Sequence, residues 1–159
     1  PERQICPFAA HIRKAYPRDD SSSTLPSTDE VTTQTHRILR RGIPFGEPLH
    51  QFLGLPFPDF GERGLLFLAY QTSIVEQFEF ILQNWVNNPD FKEPQAGHDL
   101  IIGQNNTPGA DRERRFTITF KRNGVVHHEV VSTQVDWVIP TGGGYFFAPS
   151  IAALERLAS

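Results

Sequence analysis

The dipeptide Asn123-Gly124 sits between Phe116-Thr-Ile-Thr-Phe120 and Val125-Val-His-His-Glu-Val-Val131, and it constrains this chain more than any other short feature. Asn and Gly both tolerate positive φ. Together they close a two-residue turn whose twist matches a pair of antiparallel strands. An antiparallel hairpin is thus expected near the end of the chain. Upstream, Gly64-Leu-Leu-Phe-Leu-Ala-Tyr70 is a continuous apolar run of strand length and predicts a buried central strand. Ile74, Phe78, Ile81, Leu82 and Trp85 recur at steps of three and four, which predicts a helix over 73–86. Ser73 is its expected cap, and Asn87-Asn-Pro89 its end.

The remaining segments follow the same logic. His36 to Arg41 reads as a strand ended by Gly42 and Pro44. The polar run 19–30 reads as a solvent loop, and the proline-bearing stretch 48–61 as an irregular one. A Gly142-Gly-Gly144 turn leads into an expected strand, Tyr145-Phe-Phe147, and Ser150 caps an expected helix, Ile151 to Leu157. Strands and helices are interleaved without repeats. The expected architecture is α+β, one domain over residues 1–159, with helices packed on one face of an antiparallel sheet.

Composition narrows the function classes. The chain has 159 residues, 38% hydrophobic and 21% charged, which suits one globular domain. A net charge of −3 provides no electrostatic surface for nucleic acid or an anionic membrane, so neither is expected as a partner. No apolar run approaches the ~18–20 residues of a membrane-spanning helix. Pro1-Glu-Arg-Gln4 lacks the basic and apolar regions of a secretory leader, as a mature or processed chain would. The single cysteine, Cys6, excludes an internal disulfide and a thiolate cluster, and is expected as a small buried hydrophobe. Thirteen Phe and no Met give an aromatic core without oxidisable thioethers, which would suit a site fed with peroxide.

Two segments carry chemistry. Cys6-Pro-Phe-Ala-Ala-His11-Ile-Arg-Lys14 sets one imidazole in apolar sequence, and Ile38-Leu-Arg40-Arg41-Gly-Ile-Pro-Phe-Gly46 supplies a guanidinium. A lone His is ordinarily a hydrogen-bonded core or surface residue, and it can also ligate a metal through one ring nitrogen. A double Arg on a strand points only one side chain to each face. The nine positions around His11 and the segment around Arg40 resemble the secreted fungal dye-decolorizing peroxidases, and the resemblance extends over nearly the whole chain. It implies a ferredoxin-like fold, a haem b (iron protoporphyrin IX) cofactor, and hydrogen peroxide as oxidant for dyes and phenolic compounds.

The resemblance also assigns roles. His11 would be the proximal iron ligand, with Asp99 in Gly97-His-Asp-Leu-Ile-Ile-Gly-Gln104 accepting its other ring nitrogen. Leu100 stands where the family has proline. Asp99 is otherwise an ordinary loop-turn residue. The family pattern selects Arg40, rather than Arg41, as the distal guanidinium that polarises the O–O bond. Leu65 and Phe67 share a strand face and would shape the distal pocket and its narrow peroxide access; from sequence alone both are core. Arg13 and Arg18 would pair with haem propionates or are surface charges. Trp85 belongs to the core by periodicity, yet it matches a surface Trp that relays electrons to bulky dyes. The companion Tyr of the family is Phe45 here. Asn105-Asn-Thr107 is a glycosylation sequon weakened by Pro108, fitting a secreted protein if its loop is exposed.

One family feature has no match in the chain. The distal acid belongs to a Gly-x-x-Asp-Gly motif, and no such motif occurs. The resemblance therefore implies the C-terminal, haem-ligand half of such a peroxidase, whose N-terminal half would be a partner chain carrying that motif. Two other readings stand beside it: a haem-binding or haem-transfer protein without peroxidase turnover, and a ferredoxin-like interaction module whose His and Arg are structural.

Overall fold

The computed structural model describes residues 6–18, 30–48, 51–52, 55–56, 61–105 and 112–159. In chain order the elements are α1 (His11–Ala15), α2 (Glu30–Thr35), β1 (Leu39–Phe45), β2 (Gln51–Phe52), β3 (Leu55–Pro56) and β4 (Gly64–Tyr70). Two π-helical segments follow, Ile74–Glu79 and Ile81–Val86, continuous through Phe80. The chain then forms β5 (Arg114–Arg122), β6 (Val125–Thr133) and α3 (Ile151–Ala158). The class is α+β, as expected.

Asn123-Gly124 closes the β5–β6 hairpin with both residues at positive φ, 52° and 78°, and Arg122 pairs with Val125 across the turn. Ser73 caps the central helix, its Oγ accepting the Glu76 N–H at 3.2 Å, and the helix stops at Asn87. The winding differs from the expected 3.6-residue period. The Asn87 N–H donates to the Leu82 carbonyl, an i→i+5 bond, so residues five apart also share a face. Ile81, Trp85 and Val86 are consequently buried together with Phe91, with Phe80, Leu82, Ile38 and Ile102 packed around them. Helix α1 packs on the Ile81–Val86 segment.

Other expectations change. Gly42 and Pro44 do not end β1, which runs to Phe45 and pairs antiparallel with β4 from Leu39↔Tyr70 to Phe45↔Gly64. The pair has no third strand among the described residues, so β1 is an edge strand, where proline is tolerated. For the same reason β4 is not a buried central strand: it lies exposed along nearly its whole length. The described strands form three two-stranded sheets rather than one continuous sheet. Tyr145-Phe-Phe147 is not a strand; Phe146 and Phe147 stand in solvent. Within 48–61, β2 and β3 form a short ladder where an irregular loop was expected. The 19–29 stretch lies outside the described residues. Cys6 is exposed, not a buried hydrophobe.

Candidate functional site

His11 opens α1, and its neighbours fix its direction. The Arg13 and Lys14 N–H groups donate to the Ala10 carbonyl, winding the helix tightly from its first residue. The imidazole reaches a turn 88 positions away, where Nδ1 meets Asp99 Oδ2 at 2.8 Å. The Asp99 turn is held from two sides. The Gly97 N–H donates to the Pro89 carbonyl and the His98 N–H to the Arg115 carbonyl on β5. Gly97 has φ +106°, and a Cβ there would lie 2.4 Å from the Arg115 oxygen. Only glycine allows the turn to approach β5 so closely.

Asp99 is fully buried, and both its oxygens are used. Oδ1 accepts the Ile101 and Ile102 N–H groups at 2.8 and 3.1 Å, while Oδ2 faces His11. Burial pushes the carboxyl pKa up. The His11 hydrogen bond and the two N–H groups outweigh it and hold the pKa below the ordinary 3.8. An ionised carboxylate can only accept, so the proton of the His11–Asp99 bond belongs to Nδ1. In the neutral imidazole that leaves a lone pair on Nε2. No described residue bonds Nε2, and the side chain remains 32% exposed. An imidazole with Nδ1–H held by a carboxylate and Nε2 open is the donor set of an axial metal ligand.

The second group of expected residues lies on β1–β4. Directly paired residues in an antiparallel ladder point to the same side. The pairs Arg40↔Ala69, Gly42↔Phe67 and Pro44↔Leu65 therefore set Arg40, Leu65 and Phe67 on one face, with Arg41 on the other. All three are exposed. Gly42 leaves this face open beside Leu65, whose Cδ1 lies 3.0 Å from where a Cβ would stand. Phe67 leans on Phe78 of the π-helical segment, 6.2 Å between ring centroids.

A family model for the C-terminal part of Dyp-type peroxidases matches residues 4–97. The chain belongs to the Dyp-type peroxidases. A dye-decolorizing peroxidase of Mycetinis scorodonius is 36% identical over 163 residues, covering 97% of this chain and 30% of that protein. Among solved structures, an ancestral D-type dye decolorizing peroxidase matches with TM-score 0.65 and 38% identity, over 94% of this chain and 32% of that one. The F194W mutant of the Pleurotus ostreatus enzyme matches with TM-score 0.67 and 36% identity, over 97% and 33%. The Dyp-type chain has the ferredoxin-like fold of these structures and spans about a third of the length of its curated relatives.

Three further expected residues lie outside this pair of regions. Trp85 is in the core, as its periodicity predicts, and not at the surface: it is 3% exposed, stacked on Phe91 at 5.6 Å and edge-on to Phe80 and His36. Arg13 is bound within the Dyp-type chain, its guanidinium donating to the Cys6 carbonyl and lying 4.1 Å over the Phe8 ring. Arg18 is exposed at φ 56°, with its carbonyl accepting from Thr33 Oγ1 at 2.7 Å. Asn105 of the sequon donates its amide to the Glu113 carbonyl at 2.8 Å; Asn106 and Thr107 lie outside the described residues.

Two site residues escaped the sequence reading. Arg114 is 2% exposed and donates to the Gly103 carbonyl at 2.6 Å and to the Val135 carbonyl, with Asp136 Oδ1 at 3.2 Å. It clamps the end of the Asp99 turn, yet in sequence it reads as one more charge in Arg112-Glu-Arg-Arg115. Lys14 is completely buried. The signal for it was its place three residues after His11, on the same side of one helical turn.

Proposed function

We propose that this chain is the haem-ligand portion of a peroxidase that uses hydrogen peroxide to oxidise dyes and phenolic compounds. The observation carrying this reading is the His11–Asp99 bond with Nε2 left open, in a chain of the Dyp-type family. The donor set fits haem: His11 would hold the iron of haem b through Nε2, and Asp99 keeps Nδ1 protonated and the ring oriented. Bound there, haem supplies peroxide-dependent oxidising power. Arg40 presents a permanent positive charge that can meet a developing oxygen anion, and Leu65 and Phe67 wall its face against water and bulky molecules. Arg13 already has partners in its own chain, so propionate pairing would require it to share them; Arg18 is exposed for that role.

The distal acid of the Gly-x-x-Asp-Gly motif would come from an N-terminal partner chain or segment. The exposed apolar rows of β4 and α3 support a covering partner, since soluble proteins rarely leave such patches open. Trp85, as a relay to bulky dyes, would act from inside the core through the His36–Phe80 stack, whose rings lie 3.8 Å apart and parallel.

The test is haem retention. The protein purified with its haem should show an intense Soret band, and His11→Ala should lose it or bind haem only weakly. An unchanged band in His11→Ala removes the assignment.

A further inference from the structure

Gln77 lies on the first π-helical segment, is 8% exposed, and uses both ends of its amide. Oε1 accepts three donors: the Thr72 and Ser73 N–H groups, each at 2.9 Å, and Thr72 Oγ1 at 3.0 Å. Nε2 donates to the Arg37 carbonyl, 40 positions away in sequence. These neighbours fix the orientation of the amide, since a backbone N–H only donates and a carbonyl only accepts. Thr72 follows the last residue of β4 by two positions, and Arg37 precedes the first residue of β1 by two. One side chain thus ties together the two strand ends that meet at Leu39↔Tyr70, the end of the ladder that carries Arg40. Beside it His36 Nδ1 donates to the Glu76 carbonyl at 2.5 Å, so the chain entering β1 is held to this helix at two successive residues.

Capping the helix does not require this arrangement. Ser73-Ile-Val-Glu76 has the spacing of a capping box, in which the Glu76 side chain would take the Ser73 N–H. The structure gives that N–H to Gln77 and leaves Glu76 exposed. A buried apolar side chain of the same length would also avoid the cost of desolvating an amide. What the amide adds, and neither alternative provides, is the bond to Arg37.

We propose that Gln77 is a positioning residue for Arg40: it fixes the Arg40 end of the β1–β4 ladder on the π-helical segment, so that the guanidinium meets the reacting oxygen at a set place. This deepens the reading of Arg40 as the distal charge and rests on it. The ladder needs such a tie. Among the described residues β1 has no neighbour but β4, and a lone two-stranded pair is only marginally stable in water. Arg40 is itself exposed, so its place is set by the strand beneath it.

The experiment uses the complete protein, with and without haem. Gln77→Met conserves volume and leaves the Ser73 N–H to Glu76, while Gln77→Glu keeps the Oε1 side and turns an acceptor toward the Arg37 carbonyl. Both break the Arg37 bond. With haem, each variant keeps its Soret band and loses on the order of 10- to 100-fold in the rate of peroxide consumption, the scale for moving a positioned group by about 1 Å. In an Arg40→Leu background neither variant lowers the rate further. Without haem, amide hydrogen exchange speeds up at Leu39–Arg41 and Leu68–Tyr70 and stays as in the wild type at Phe45 and Gly64–Leu66. Equal losses in both backgrounds, or exchange accelerated evenly along the ladder, overturn the proposal, since either marks a general loss of stability. If neither variant folds, the wild type decides: the Gln77 side-chain amide should be as protected as the backbone amides of that ladder end, and an unprotected one overturns the tie. An Arg40→Leu protein with the full peroxide rate would sink the distal reading of Arg40, whereas an unchanged rate in both Gln77 variants would sink this one.

Discussion

Around Asp99 the chain buries Lys14, Lys92, Asp99 and Arg114 to 2% exposure or less, while β4 leaves Leu65, Leu66, Phe67 and Leu68 between 42 and 60% exposed. The usual distribution of charge and grease is inverted between these two regions. In the first, charge is tolerated because partners are supplied from nearby: a ring nitrogen and two N–H groups for Asp99, carbonyls and a carboxylate for Arg114, a carbonyl for Lys14. In the second, apolar side chains are ordered by a strand ladder but covered by little of this chain. The Asp99 side is thus an interior built within this chain, with His98 Nδ1 and Arg114 Nε its buried atoms without a hydrogen bond among the described residues, and the Arg40 side is an exposed apolar surface.

The comparison breaks most visibly at Trp85. Replacing it with Ala should cost ~3–5 kcal/mol, since the indole fills the centre of the buried cluster. The half-exposed Leu66→Ala should stay within about 0.5 kcal/mol. Denaturant midpoints of the two variants test this, and equal losses would erase the distinction. Arg40→Leu should behave in the opposite sense, leaving the midpoint unchanged while lowering the rate of peroxide consumption ~10²–10³-fold, the usual loss for one preformed oxyanion donor. A parallel fall in stability would make Arg40 structural.

Asp99→Asn sharpens the buried side. Removing the charge and turning a donor toward Nδ1–H should cost ~1.5–3 kcal/mol, the range for a hydrogen bond to a charged group. The pH dependence has a definite sign. Asp99 has a folded pKa below its ordinary 3.8, so its contribution is complete above that value and is lost as pH falls through the lower, folded pKa. Melting temperatures of Asp99→Asn should therefore fall less steeply in acid than those of the wild type. Identical acid slopes would deny Asp99 its linkage role.

Local signals were the most legible part of the sequence. Asn123-Gly124 closes its turn, and Ser73 and Ser150 cap their helices, because each depends on a few adjacent residues. Burial was legible only where one element meets another of the same chain. The run 64–70 is strand as read, but its apolarity reports two surfaces to be covered, not two surfaces covered by the described residues. Tyr145-Phe-Phe147 fails as a strand for a related reason: it has no partner strand among the described residues, and Tyr145 bonds Glu79 through its hydroxyl at 2.9 Å. At the site, the His11–Asp99 pairing was readable from family resemblance, never from spacing, given the distance between them in sequence. Arg114 stayed hidden because a charged residue beside other charged residues carries no sign of being inside; Lys14 carried only its helical spacing from His11.

That separation has a kinetic consequence. The β5–β6 hairpin closes across two residues and can form in ~1–10 μs. The imidazole–carboxylate bond closes a loop of 88 positions and must await both ends of that loop. Closing that longer loop costs more chain entropy, so the His11–Asp99 bond is expected to form after the hairpin. Hydrogen exchange at His11 and across the hairpin tests that order: faster opening of the His11–Asp99 bond than of the hairpin is the expected outcome.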